Sequence, residues 1–163
     1  MKKSDTIRER ILTAEEITSQ VKRWRLTSKT IAFTNGVFDI VHEGHIDILA
    51  QAASYADMLI VGINSDASVK KLKGNSRPVN NQQSRALILS SMIMVDAVVI
   101  FDEETPLELI KKINPDFLVK GGDYTIDKIV GAKEVIANGG RVEIFPLKEG
   151  FSTTGIIEKI AKI

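Results

Sequence analysis

The stretch Thr30-Ile31-Ala32-Phe33-Thr34-Asn35-Gly36, with Gly44 to Tyr55 close behind it, decides the fold. Thr30 to Thr34 is too short and too apolar for a helix, and the turn pair Asn35-Gly36 ends it. From Gly44 to Tyr55 the apolar residues Ile46, Leu49, Ala50 and Ala53 recur at helical spacing. The order is strand, turn, helix, and the same alternation continues outward. Leu59-Ile60-Val61-Gly62-Ile63 has nothing polar to face water and reads as a strand covered on both sides. Asn64-Ser65-Asp66 closes it and can cap a short helix beginning near Ala67. Val69 to Asn80 carries Lys70, Lys71, Lys73, Gly74 and Arg77, has few apolar residues and closes with Pro78, which predicts a mobile basic loop.

Beyond it a helix is expected over Gln82 to Met94 and a strand over Ala97 to Phe101. A helix from Pro106 to Ile113 is stopped by Asn114-Pro115, and Phe117-Leu118-Val119 is the fourth strand. A helix from Val130 to Ala137 ends at Asn138-Gly139-Gly140, a left-handed cap signal, ahead of the fifth strand, Val142 to Phe145. A last helix runs from about Ser152. Alternation of this kind builds an α/β domain in which five parallel strands form an open sheet with helices on both faces, the Rossmann-like arrangement. Residues 1–29 show one helix, Ala14 to Trp24, with Thr13 and Glu16 spaced as a capping box. They are read as a helical appendage of a single domain spanning 1–163, and no repeat or linker suggests a second unit.

Composition narrows the function. The 163 residues are 44% apolar and 26% charged, and 22 Lys+Arg against 21 Asp+Glu leave a net charge of +1. No electrostatic footprint for nucleic acid or for an anionic membrane surface follows, so any phosphate binding must be local. The absence of cysteine removes disulfides, thiolate nucleophiles and cysteine-built metal sites, and fits a cytoplasmic protein. No export signal or membrane span is read. The spellings GxxxxGK[ST], GxGxxG after a strand and GxSxG are all missing, so the usual kinase, dehydrogenase and serine-hydrolase anchors are too.

The chain's two histidines, His42 and His45, fall three apart at a helix entry. There both imidazoles lie on one face, beside the unpaired amides and the dipole that favour an anion. Gly44 between them lets a bulky ligand approach the backbone. A plain alternative is a capped, solvent-facing helix start. The pair, however, follows the first strand of a parallel sheet, outside whose carboxyl ends ligands bind in open α/β folds. A metal site is the weaker option, because only Asp39, Glu43 or Asp47 could complete it and no HExxH spacing exists. With no histidine left over as a separate base, what remains is chemistry that positions phosphates without activating a nucleophile.

Thr34-Asn35-Gly36-Val37-Phe38-Asp39-Ile40-Val41-His42-Glu43-Gly44-His45 resembles the GxFD and HxGH signature of the nucleotidyltransferase superfamily that includes glycerol-3-phosphate cytidylyltransferase, FAD synthetase and phosphopantetheine adenylyltransferase. Phe151-Ser152-Thr153-Thr154 is similar to that family's second signature, ISTT. Further stretches resemble the heptose 1-phosphate adenylyltransferase branch across most of the chain. They are Asn64-Ser65-Asp66-Ala67-Ser68-Val69-Lys70, Leu72-Lys73-Gly74, Arg77-Pro78-Val79-Asn80, Lys120-Gly121-Gly122-Asp123-Tyr124 and Lys133-Glu134-Val135.

That resemblance implies transfer of AMP from ATP to D-glycero-β-D-manno-heptose 1-phosphate, giving ADP-heptose and pyrophosphate for bacterial surface polysaccharide. Mg²⁺ would be bound mainly through the ATP phosphates, with no metal ligands from the protein. His42 and His45 would contact the phosphates and the transition-state oxygens, with Lys70 and Lys73 beside them in the catalytic set. Arg85, Asp123, Ser152 and Thr153 would bind nucleotide, together with Thr34, Asn35, Gly36, Val37, Phe38 and Gly44 of the turn. Asp39, Asn64 and Asp66 would bind the acceptor. Relatives commonly assemble as dimers or larger, so a homo-oligomer is implied. Cytidylyltransferases carry an arginine shortly before ISTT, where this chain reads Pro146-Leu147-Lys148-Glu149-Gly150, with Lys148 as the available substitute. Transfer to glycerol 3-phosphate, another polyol phosphate or FMN, and a non-catalytic nucleotide-binding module, are the alternatives.

Overall fold

A computed structural model describes residues 4–146, 153–160 and 162. The strands β1 (Ile11–Leu12), β2 (Ile31–Gly36), β3 (Met58–Asn64), β4 (Ala97–Phe101), β5 (Phe117–Gly121) and β6 (Arg141–Phe145) form one sheet in the order β1-β4-β3-β2-β5-β6. Every pairing is parallel. The sequence reading of five strands is corrected to six. The addition is β1, whose Ile11 and Leu12 lie opposite Val98 and Val99. Two residues are too few for an alternating pattern to register. The segment read as a bare helical appendage therefore also supplies one margin of the sheet.

The helices are α1 (Ala14–Leu26), α2 (Glu43–Ser54), α3 (Asp66–Lys73), α4 (Gln82–Ser90), α5 (Leu107–Ile113), α6 (Ala132–Ala137) and α7 (Thr153–Ile160). The expected capping box starts α1, with Thr13 Oγ1 accepting from the Glu16 amide at 3.2 Å and Glu16 Oε2 accepting from the Thr13 amide at 2.8 Å. Alternate strand residues feed two cores. Phe33, Ile60, Val99 and Leu118 pack with Ile17 of α1, Leu109 of α5 and Val135 of α6. Leu59, Val61, Val98 and Val119 pack on the other face with Leu49 of α2 and Leu89 of α4. Full burial of such side chains stabilises the fold by about 1.5–3 kcal/mol each.

Carboxylates secure the amino ends of the strands. Asp116 Oδ2 accepts from the Ile31 amide at 2.7 Å, and Asp96 Oδ2 from the Leu59 amide at 2.8 Å. The carboxyl ends are left for ligands. From β2 the chain steps outward through β3 to β4, then returns to β5 on the other side of β2, which opens a crevice between β2 and β5 at the switch point. The expected basic loop is also corrected. Lys70, Lys71 and Lys73 belong to α3, which Ser65 caps and Gly74 ends at a φ of 89°, so the link to α4 is confined to residues 74–81. Among the described residues no helix is long and apolar enough to cross a membrane.

Candidate active site

The site is built on the turn from β2 into α2. Phe38 adopts a left-handed φ of 48°, strained for an aromatic residue, with its ring buried. A Cβ at Gly36 would lie 3.0 Å from that ring, so the glycine makes room for it. His42 is the N-cap of α2 in extended conformation (φ −140°, ψ 172°), with no side-chain hydrogen bond closing the helix end. The first turn thus opens at the carboxyl end of the sheet, where its amides and dipole favour an anion.

The two imidazoles stack, with centroids 3.8 Å apart and planes inclined by 23°, and the Phe38 ring lies 5.1 Å from His45. Burial lowers the pKa of His42. Burial first, then the positive charges of His42 and Lys73, bring His45 down to about 4. At pH 7 His45 is neutral. Its Nδ1 is buried without a hydrogen-bond partner. Burying a bare lone pair costs less than burying an unmet N–H, so the proton is assigned to Nε2.

A pH dependence of stability follows. His45 has an ordinary pKa of 6.5 when unfolded and about 4 when folded. Between those values the unfolded chain binds a proton that the folded one refuses, so stability falls as pH drops through that window. Thermal unfolding followed from pH 7 to pH 4.5 should show a decline in Tm that is shallower in His45→Gln. Parallel curves for the two proteins would exclude this origin.

Asp39 is the hub behind the histidines. Its side chain is 1% exposed, and Oδ2 accepts from Arg77 Nε at 2.6 Å. Oδ1 takes the amides of Val79 (2.8 Å) and Asn80 (2.9 Å), while Asn80 Nδ2 donates to the Asp39 carbonyl at 2.7 Å. Burial alone would raise the Asp39 pKa. The two amides and the Arg77 guanidinium outweigh it and hold the carboxyl below its ordinary range.

Arg85, read as a nucleotide contact, lies inside the protein. Its side chain is 0% exposed, and its guanidinium donates to the carbonyls of Asn80 (3.0 Å) and Val37 (2.7 Å) and to Asp66 Oδ1 (2.7 Å). The Asp66 carboxylate, read as an acceptor contact, is engaged by that same arginine. Asn64 is buried, and its amide donates to Ser68 Oγ at 3.0 Å. These four polar side chains, Asp39, Asn64, Asp66 and Arg85, brace the turn and the neighbouring helix starts.

The remaining residues fall as follows. Lys73 is close enough to His45 to depress its pKa, whereas Lys70, on the same helix, is exposed. Thr34 is buried at the end of β2, and Asn35, Gly36 and Val37 carry the strand into the turn. Gly44 lines a cavity of about 540 Å³ with Asp47, Ile48, Ala50 and Gln51 of α2 and with Phe145 and Pro146 after β6. Thr153 Oγ1 donates to the Ile40 carbonyl at 3.3 Å, which brings the second motif against the first. Asp123 is exposed in the loop after β5. Ser152 and Lys148 lie outside the described residues.

One residue escaped the sequence reading of the site. Lys120, at the end of β5, donates from Nζ to both the carbonyl (3.2 Å) and Oδ1 (2.9 Å) of Asn35. Its signal was a lysine in an apolar strand, Phe117-Leu118-Val119-Lys120, one residue beyond the expected end.

Comparison with known proteins identifies the family. A cytidylyltransferase-like family model matches residues 33–159, from β2 through most of α7. The chain belongs to the cytidylyltransferase-like family. This cytidylyltransferase-like domain is a nucleotidyltransferase. It is 55% identical over 150 residues to the bifunctional protein HldE of Koribacter versatilis, covering 92% of this chain and 31% of that protein. It is 54% identical over 149 residues to the bifunctional protein HldE of Hyphomonas neptunium, covering 91% and 31%. The chain thus spans about a third of the length of these curated relatives. Among solved structures, the lipopolysaccharide core biosynthesis protein from Thermoplasma volcanium is 26% identical with a TM-score of 0.59, covering 74% of this chain and 97% of that one. Pantoate-beta-alanine ligase from Francisella tularensis, solved with beta-gamma ATP and beta-alanine, has a TM-score of 0.61 at 16% identity and covers 94% and 78%, a likeness of fold alone.

Proposed function

We propose that this domain transfers AMP from ATP to D-glycero-β-D-manno-heptose 1-phosphate, releasing pyrophosphate and forming ADP-heptose. The observation that carries the transfer chemistry is the stacked pair of imidazoles at the open N-terminus of α2. The choice of acceptor is supported by the heptose-branch stretches and by the identity to HldE proteins.

The acceptor's phosphate is already an anion at pH 7, so no general base is needed. One phosphate oxygen attacks the α-phosphorus in line, and the bond to the β-phosphate bridging oxygen breaks, its electron pair leaving with pyrophosphate. His45 donates its Nε2 hydrogen to an oxygen that gains charge in the transition state, and Lys73 adds a cation beside it. The cavity beside Gly44 has the volume for a nucleoside. Mg²⁺ would be carried mainly by the nucleotide phosphates. Its charge would offset that of the phosphates. Action in the cytoplasm and assembly as a homo-oligomer belong to the same reading.

Incubation with ATP, Mg²⁺ and heptose 1-phosphate should release pyrophosphate and yield ADP-heptose, read by anion-exchange chromatography. Parallel reactions with glycerol 3-phosphate and FMN should be far slower. Turnover of either of those in preference to the sugar would overturn the acceptor assignment.

A further inference from the structure

Three basic side chains are drawn in at the carboxyl end of the sheet, and two of them have carboxylate partners. Arg77 pairs with Asp39 and Arg85 with Asp66. Lys120 has none within bridging distance among the described residues, and its hydrogen bonds go to two uncharged oxygens of one residue, Asn35. An ammonium has three hydrogens to donate, so one is left over. It stands between β2 and β5, at the switch point where open parallel sheets bind their ligands. A lysine drawn out of water without a counter-ion is disfavoured.

We infer that Lys120 is a phosphate-binding residue of this site, its third N–H and its charge being taken up by a phosphoryl oxygen of a bound substrate. The inference rests on the nucleotidyl-transfer reading above and extends it to the face of the turn opposite α2. Leu118 and Phe33 share that face, while Val119 looks toward α2. Asn35 then serves as the hinge between the two faces, orienting Lys120 from its side chain while its backbone continues into the turn. Burial has already lowered the Lys120 pKa to about 8, with no charged neighbour contributing. Glu143 on β6, Lys133 and Glu134 on α6 and Asp47 on α2 add nothing to that shift, and β2 contains no titratable group. A phosphate that arrives must therefore raise it.

The test is calorimetric and independent of turnover. At pH 8.5 the phosphates of ATP and of a sugar 1-phosphate are fully ionised, so proton uptake on binding reports a protein group. Titrations in two buffers of different ionisation enthalpy should show fractional uptake by the wild-type protein with ATP, if the nucleotide supplies the oxygen, or with heptose 1-phosphate, if the acceptor does. Lys120→Met should abolish the uptake and weaken the same ligand roughly tenfold to a hundredfold. Lys120→Arg, which keeps the charge but does not titrate, should abolish uptake while retaining more of the affinity. It also serves where the methionine variant fails to fold. Absence of uptake with both ligands, or uptake that persists in these variants, would overturn the assignment. ATP binding is read whether or not heptose phosphate proves to be the acceptor, so the two proposals can fail separately.

Discussion

His45→Ala should lower kcat by about a hundredfold to a thousandfold, the cost of removing a preorganised hydrogen-bond donor from a transition state. The effect is concentrated in kcat because the imidazole is held before substrate arrives. His42 stacks on it at 3.8 Å, the Phe38 ring lies against it at 5.1 Å, and its pKa near 4 leaves the donor form unchanged across neutral pH. ATP affinity should change only severalfold, since under the proposed function the α2 amides and Lys73 remain in place for the triphosphate. The same charge state, which belongs to the substrate-free protein, predicts that kcat/KM stays level from pH 6 to pH 7, without the fall that a catalytic imidazolium of ordinary pKa would produce. A variant that retains wild-type turnover, with unaltered unfolding behaviour, would remove the imidazole from the mechanism.

Asp39→Ala carries the largest expected loss of stability, about 3–5 kcal/mol, because it strands a buried charge. Arg77 Nε and the amides of Val79 and Asn80 all lose their acceptor together. Arg77 Nη2 is already buried without a partner, so the loss would leave more of the guanidinium unmet. The change is read from the urea midpoint at constant m-value. Asp39→Asn should lose less, since it keeps one acceptor oxygen and sacrifices the charge. A loss below about 1 kcal/mol for the alanine variant would mean that the 74–81 link relaxes freely and that the hub contributes little. The loop links through Asn80 to Arg85, and through it to Asp66, so displacement of residue 39 should also disturb the start of α3, which carries Lys73.

Periodicity revealed the parts of the fold that are long enough to have a period. The helices around Ile17, Leu49 and Leu109 were legible because burial on a helix face repeats every 3.6 residues, and the strand Leu59 to Ile63 because a run covered on both faces is apolar throughout. Ile11–Leu12 was not, since two residues have no repeat. The lysines of α3 looked like loop because a helix that buries little beyond Ser68 and Val69 carries almost no apolar stripe. At the site, the spacing of His42 and His45 was sufficient to place them on one helix end. Charge partners were not readable. That Arg85 spends its guanidinium on Val37 and Asp66, or that Asp39 faces Arg77, depends on contacts between residues 19 to 48 positions apart. Lys120 shows the converse. A charged residue ending an apolar strand was visible, but only the sheet order brings it to Asn35.

The brevity of β1 has a consequence for solution behaviour. A long open margin of backbone donors and acceptors is a template on which foreign chains can add themselves, the first step toward fibrils. Here Ile11–Leu12 occupies the flank of β4, and the capping box at Thr13 turns the chain away into α1 at once. A stranger approaching from that direction meets two rungs of ladder and then a helix, too little to grow on.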